Sequence, residues 1–566
     1  MCHRPPTPDP RSPFLDTARN ALRQYGPVFP PAASTGTSNC VPVEIRRLPW
    51  IKRLAADYAF DYARVADFFS GNPAESSAWQ EAVARTLRHP RQHAAIAGIL
   101  HAQQTRRGAP AEAMAAAQRL RDPGTVAVVT GQQAGLFGGP LFTLLKALTA
   151  MRLAQRVGEE QGVQAIAIFW IDAEDHDWDE VKTCGVLDAD MKLAEVTLPP
   201  LPGAGEGPVA RVRLDAAAAA TIDQLAALLP PTEFTPQLLD GLRAAYAPGA
   251  GMAEAFGRWL ESVLGRHGLV VFDASDPAAK PLAAPLFAHE IEHAGATSRL
   301  ASEAGAALVA KGYHAQVTPQ ADQTALFHVD GVRTGITVDE AQAHLDRVRT
   351  QPAAFSPNVL LRPLVQDTLF PTVCYVAGPN ELAYLAQLRP VYAAFGLPMP
   401  LMCQRSTATI LDSNAMRFLT RNTLPLESLR AQDEAVLNQL LEAQIPAGVT
   451  GSMEDAVRAV TERMEALALA VTDLDATLDG AARSTAGRMQ DDLKKLHGKI
   501  IQAAKRKDET LRRQFHHARA QAFPGGHPQE RALGFVYFLN KYGPTLVDRL
   551  NDELPLDQAH HWIIAL

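Results

Sequence analysis

Between residues 126 and 424 the chain alternates short, predominantly apolar runs with stretches of helical periodicity. Val126 to Val129 forms one run and ends at Thr130. Residues 163–171 read VQAIAIFWI, 268–273 read GLVVFD, and 371–378 read PTVCYVAG. Runs without polar alternation predict strands buried on both faces. Helical patterns follow each, most clearly over 380–395. The fold class expected is α/β, a parallel sheet covered by helices. Ligands of such sheets bind at the carboxyl ends of the strands. Three polar motifs stand at those ends: TGQQ, DAEDHD and GPNE.

The flanks read differently. Residues 1–40 are rich in Pro, Ser and Thr with little periodicity, which predicts a mobile arm. The sheet region belongs to a core spanning 41–425, which opens with helical patterns from Ile45 to about Arg121. Two segments interrupt the alternation. One, near 183–262, carries β-like stretches (AEVTLP, VARVRL) and an alanine-rich helical region. The other, near 313–365, reads as strands with an Asp330-Gly331 hairpin turn. After Leu424-Pro425 a helical domain is expected over 426–520. Its apolar positions are Met453, Val457, Val460, Met464, Leu467, Val471, Leu474 and Leu478. They alternate by four and three, as in a coiled-coil seam. One long helix cannot bury that stripe alone, so it needs the shorter 427–444 helix or a second subunit. Its basic end, Lys494 to Arg513, reads as a solvated face. Residues 521–566 are too apolar for a tail and are expected to pack back on the core.

The stretch 126–146 joins a strand to a helix through a turn containing Gly131, Gly135, Gly138 and Gly139. Glycines allow positive φ and close approach to a ligand, and a helix N-terminus suits an anion. These four are candidate phosphate or nucleotide contacts, although the spacing matches neither the P-loop nor the dinucleotide fingerprint. The plain alternative is a tight turn with no ligand. Gln132 and Gln133 could read polar groups on a substrate. The densest ionisable cluster follows the second strand. Glu174, Asp175, His176 and Asp177 are the catalytic candidates, since a carboxylate beside an imidazole can act as a base. The same carboxylates could hold Mg²⁺ or a substrate ammonium, whereas Asp179 and Glu180 read as acids of a first helical turn. One histidine among carboxylates is not a zinc pattern. Asn380, Glu381 and Tyr384 open a later helix and could face the same cleft, or Asn380 could be a cap alone. Arg405, at another strand end, could clamp a carboxylate bidentately. Asn540, Lys541 and Tyr542 would suit adenine and phosphate, or equally a packed helix end.

Charge and cysteine content narrow the setting. A net charge of −7 gives no whole-chain reason to expect nucleic acid. Five scattered cysteines without a CxxC pair fit a reduced, cytoplasmic compartment. No signal peptide or membrane-spanning run is read from the sequence.

Four motifs together carry a family resemblance: GQQAGLFGGPLFTLLKALTAMRLA, FWIDAEDHDWDEV, YVAGPNELAYLAQL and FVYFLNKYGPTLVDRL. In this order, from about Pro42 to the C-terminus, they resemble the cysteine-adding enzymes of bacillithiol biosynthesis, a family of cysteine ligases. The resemblance implies a Rossmann-like core similar to class I aminoacyl-tRNA synthetases, with the two interruptions as connecting-peptide insertions. It further implies a coiled-coil domain that mediates homodimerisation. The activity implied joins L-cysteine to the amine of glucosaminyl-malate, with ATP as the activator of the carboxylate. The chain departs from the synthetases in two ways. No lysine follows Arg405 in a signature loop, and the glycine-rich turn lacks their ATP-binding histidines. Two other readings stay open: a synthetase-like nucleotidyltransferase or ligase for a different amine, and a non-catalytic dimeric coiled-coil scaffold.

Overall fold

The computed structural model describes residues 40–566 except Pro446 and Ala476. Nearly all of the arm expected over 1–40 lies outside the described residues. The described chain forms two compact units: residues 40–410 with 527–564, and residues 411–526 with the last two residues.

The larger unit is built on five strands: β1 (Thr125–Gln133), β2 (Gln164–Asp172), β3 (Val270–Asp273), β4 (Thr372–Ala377) and β5 (Leu401–Gln404). They pair in the order β5-β4-β1-β2-β3, all parallel. β1 and β4 carry almost no exposed residue, because helices cover both faces. Trp170 of β2 packs against Phe272 of β3 and against Phe370, just before β4. Between β1 and β2 runs the helix Leu141–Gln161, entered through Pro140 and ended by Gly162 in the left-handed conformation. The order reverses between β1 and β4, so a doubly wound sheet opens its ligand crevice there, at the carboxyl ends.

The first insertion begins with an antiparallel pair, Leu193–Thr197 against Thr183–Leu187, followed by three helices. The AEVTLP stretch falls in that pair. VARVRL does not form a strand. Val209–Arg211 is a single 3-10 turn, and Arg213 makes one isolated bridge to Gly251. The second insertion is a three-stranded antiparallel sheet of Gln323–Asp330, Val332–Thr337 and Phe355–Pro357. Its hairpin turns at Gly331, where φ is +74°. Residues 527–564 belong to the larger unit, and their strand His560–Ala565 pairs with Cys40–Glu44.

In the smaller unit the long seam takes a form the heptad pattern does not predict. It is not one helix. Ala447–Thr472 and Leu478–Lys507 pack on each other as a hairpin, with Gln490 Nε2 donating to Thr461 Oγ1 at 3.2 Å. The turn lies at Asp475, whose carboxylate accepts from the backbone N–H and hydroxyl of Thr477. Short polar side chains that bond their own backbone compete with helix, and here they win. Much of the partner for the stripe therefore lies in the same chain. Of the stripe itself Val457, Leu467, Leu474 and Leu478 nonetheless stay exposed, Leu474 by 82%, and Leu469, beside the stripe, is 70% exposed. Among the described residues no helix is long and apolar enough to cross a membrane.

Candidate active site

A cavity of about 550 Å³ opens at the carboxyl ends of β1, β2 and β4. Its floor is made by three motifs read from the sequence, and its far wall by the second insertion.

Asp172 is the last residue of β2. Its carboxylate lies 3.6 Å from Arg362 Nε, at the start of the helix Arg362–Leu369. Burial pushes the Asp172 carboxyl up, and the Arg362 guanidinium opposes that shift. Arg362 also donates to the Tyr384 hydroxyl at 3.1 Å and stands over the Tyr375 ring. Burial pushes the Tyr384 hydroxyl up to about 12, so it stays protonated at neutral pH. Asp175 meets Arg333 Nη1 at 3.1 Å and Gln133 Nε2 at 3.4 Å. Arg333 itself is fixed by the insertion. It donates to Ser356 Oγ at 3.1 Å and to the Pro357 carbonyl at 2.8 Å, and lies 3.9 Å above the Phe327 ring. Two guanidiniums thus face the carboxylates of Asp172, Asp175 and Glu381 across one cavity.

Behind the cavity, Lys146 projects from the helix Leu141–Gln161 and is almost fully buried. Its ammonium donates to the Gly131 carbonyl at 2.7 Å, to Gln132 Oε1 at 3.1 Å and to Glu381 Oε1. Burial lowers its pKa, and the Glu381 carboxylate opposes that shift. The other Glu381 oxygen accepts from the Tyr375 hydroxyl at 3.4 Å.

The DAEDHD cluster is split. Asp172 and Asp175 face this cavity, as does Glu180, whose carboxyl burial pushes up. Glu174 turns the other way into a neighbouring cavity of about 610 Å³, where it is ion-paired with buried Lys280. His176 points outward with 57% of its side chain exposed. Asp177 accepts from the Glu180 N–H at 3.2 Å and caps a short helix. Of the four catalytic candidates, only Asp175 stands in the cavity with the guanidiniums.

The other candidates divide as well. Gln132, Gln133, Glu381 and Tyr384 line the cavity, while Asn380 sits at a helix start without a side-chain cap bond. Arg405 does not reach it. Its guanidinium is buried and bidentate on Glu530, at 2.8 and 2.6 Å. Arg405 is turned onto Glu530 and does not line the cavity, so the guanidiniums placed to meet a substrate carboxylate are Arg333 and Arg362.

The glycine-rich turn is a packed corner rather than an open cradle. Only Gly138 and Gly139 have positive φ. A Cβ at Gly138 would lie 2.3 Å from Phe535, and the first helical N–H, Leu141, already donates to the Leu533 carbonyl. Gly131 lies in β1 against Trp170, and Gly135 abuts Gly139. No phosphate fits where Phe535 sits. Asn540 is also committed: its amide accepts from Thr235 Oγ1 at 2.7 Å and donates to the Pro230 carbonyl at 2.8 Å. Lys541 lies over the Tyr542 ring at 5.2 Å. An apolar cavity of about 520 Å³ opens beside this segment, lined by Phe234, Trp259 and Leu539. Among the described residues no group of three or more His, Cys, Asp or Glu converges as a metal site.

A five-stranded doubly wound sheet with a polar cavity at its switch point, carrying a helical hairpin unit, defines a Rossmann-like protein with a C-terminal coiled coil. Comparison with known families agrees over the whole described chain. Residues 38–406 match the N-terminal Rossmann-like domain of bacillithiol biosynthesis BshC, and residues 408–566 match its C-terminal coiled-coil domain. The chain belongs to the BshC family. Relatives bearing the name "Putative cysteine ligase BshC" include one from Salinibacter ruber, 33% identical over 530 residues, covering 91% of this chain and 96% of its own. One from Chlorobaculum tepidum is 33% identical over 459 residues, covering 76% and 81%. One from Geobacillus thermodenitrificans is 31% identical over 549 residues, covering 90% and 97%.

Proposed function

We propose that this chain is a cysteine ligase that joins the carboxyl group of L-cysteine to the amine of glucosaminyl-malate and draws on ATP to activate that carboxyl group. The observation that carries the reading is the charge layout of the switch-point cavity. Glucosaminyl-malate brings two carboxylates and one ammonium. Arg333 and Arg362 are guanidiniums held rigidly on the insertion side, suited to carboxylates. Asp172, Asp175 and Glu381 are carboxylates on the strand side, suited to an ammonium and to taking its proton before attack.

Amide formation from a free carboxylate in water is uphill, which is why ATP enters the reading. The closed glycine-rich turn argues against phosphates at that corner, and the apolar cavity beside Asn540 offers a body-sized alternative for the base. We further propose a homodimer, in which a second subunit covers Leu469 and Leu474 on the helical hairpin. A cytoplasmic setting agrees with scattered cysteines and with consumption of ATP.

The test is the reaction. Purified chain is incubated with L-cysteine, glucosaminyl-malate, ATP and Mg²⁺, and the amide is sought by mass spectrometry while the nucleotide product is typed. Amide with AMP would speak for an adenylate, and amide with ADP for an acyl phosphate. Nucleotide turnover or binding without amide would count against the reading.

A further inference from the structure

The Lys146 ammonium has three hydrogens and no lone pair, and it finds three acceptors. One is the strand-end carbonyl of Gly131 on β1, and one is the Glu381 carboxylate that follows β4. The third is Gln132 Oε1. The clamp therefore bridges the two strands between which the sheet order reverses. It has a consequence for Gln132. An amide side chain facing a donor-only group must turn its oxygen toward it. The NH₂ of Gln132 is then forced to the opposite side, and Gln132 lines the cavity. No acceptor among the described residues takes that NH₂. A buried cation thus fixes the sense of an amide whose free end is a pair of donors facing the substrate space.

We propose that Lys146 is a positioning residue that holds the Gln132 amide with its NH₂ toward the cavity, where it donates to the acyl carbonyl oxygen during amide formation. The second half rests on the ligase reading above. In that step the amine lone pair attacks the carbonyl carbon and the C=O electron pair moves onto oxygen, which Gln132 holds. The C=O bond re-forms as the phosphate-bearing leaving group contributed by ATP departs, and the amine proton passes to a strand-side carboxylate. A donor preset at that oxygen stabilises charge that develops only in the transition state.

The two halves are tested separately. The first is read by melting temperature, without turnover. Gln132→Glu places a carboxylate on the ammonium, whereas Gln132→Met removes the contact. The Glu variant should melt about 2 °C or more above the Met variant. In a Lys146→Met background that advantage should vanish. Lys146→Gln serves the same purpose should Lys146→Met not fold. An equal advantage in both backgrounds overturns the clamp. The second half is read by kinetics. Gln132→Glu should lower kcat about 100-fold with KM for the amine little changed. Lys146→Met should lose a comparable factor, the double variant little more, and Lys146→Arg should restore most of it. Losses that multiply, or that fall on KM alone, overturn the role assigned to Gln132. A wild-type chain that forms no amide overturns the ligase reading and this half with it, while the melting comparison still decides the clamp.

Discussion

Arg333 and Asp175 meet at 3.1 Å although 158 residues separate them in the chain. The contact ties the second insertion to the strand end that carries the acidic motif. Arg333 is locked by Ser356, Pro357 and Phe327 rather than by Asp175 alone. A substrate carboxylate can therefore take over from Asp175 without the guanidinium having to be rebuilt.

Replacing Arg333 with Met should mainly weaken binding of the malate-bearing substrate. We expect KM for glucosaminyl-malate to rise roughly 10- to 100-fold, with kcat within about a factor of three. Steady-state kinetics with L-cysteine and ATP saturating checks this. A fall in kcat at unchanged KM would mean that Arg333 acts on the transition state instead.

Arg405→Met should behave in the opposite way. The Arg405–Glu530 pair is nearly dry, with side chains 2% and 5% exposed. Removing the cation strands a buried carboxylate, which costs about 3–5 kcal/mol in comparable pairs. Urea denaturation should show that loss, while the surviving folded protein keeps a near-normal KM for both substrates. A large KM change with unchanged stability would return Arg405 to the substrate.

What the sequence conveyed and what it withheld follow from range. The buried strands were legible because continuous apolar runs are a local signal, and so were the motifs at their ends. Gln132, Gln133, Glu381 and Tyr384 were found because they sit inside those motifs. Arg333 and Arg362 were not found. Each is one arginine in an ordinary hairpin or helix start, and only the folding of the insertion over the sheet brings it into the cavity. Lys146 was hidden likewise, at the end of an apolar helical run. Arg405 looked exposed because no local feature announces Glu530. The glycine-rich turn looked open because Phe535, nearly 400 positions later, is what fills it. The heptad pattern passed unbroken through Leu474 because hydrophobic spacing does not register a five-residue turn made by Asp475 and Thr477.

Acid should destabilise the larger unit through His561. Burial holds its imidazole at a pKa of about 4, against an ordinary 6.5, with Glu530 raising it and Arg405 lowering it in smaller measure. The folded state thus binds the proton more weakly than the unfolded state. Its contribution is intact above pH 6.5 and is lost progressively as pH falls toward 4. Melting temperature followed from pH 7.5 to 4.5 should drop, and His561→Gln should flatten that portion of the curve. An identical pH profile in the variant would remove His561 as the cause.

The helical hairpin leads to a separate expectation. Leu469→Ser with Leu474→Ser removes apolar surface that is exposed in the single chain. Light scattering at micromolar concentration should show a dimer for the wild type and a shift toward monomer for the double variant, with little change in melting temperature. A wild-type monomer would contradict the dimer.

Recognition of a dicarboxylate-bearing amine is the task proposed for the guanidiniums of the switch-point cavity. The most direct measurement compares kcat/KM for glucosaminyl-malate with that for methyl glucosaminide, which lacks the carboxylates, in the wild type and in Arg362→Met. The wild type should favour the malate-bearing amine by about 100-fold or more, and Arg362→Met should lose most of this preference. Equal preference in both proteins, or none in the wild type, would contradict it.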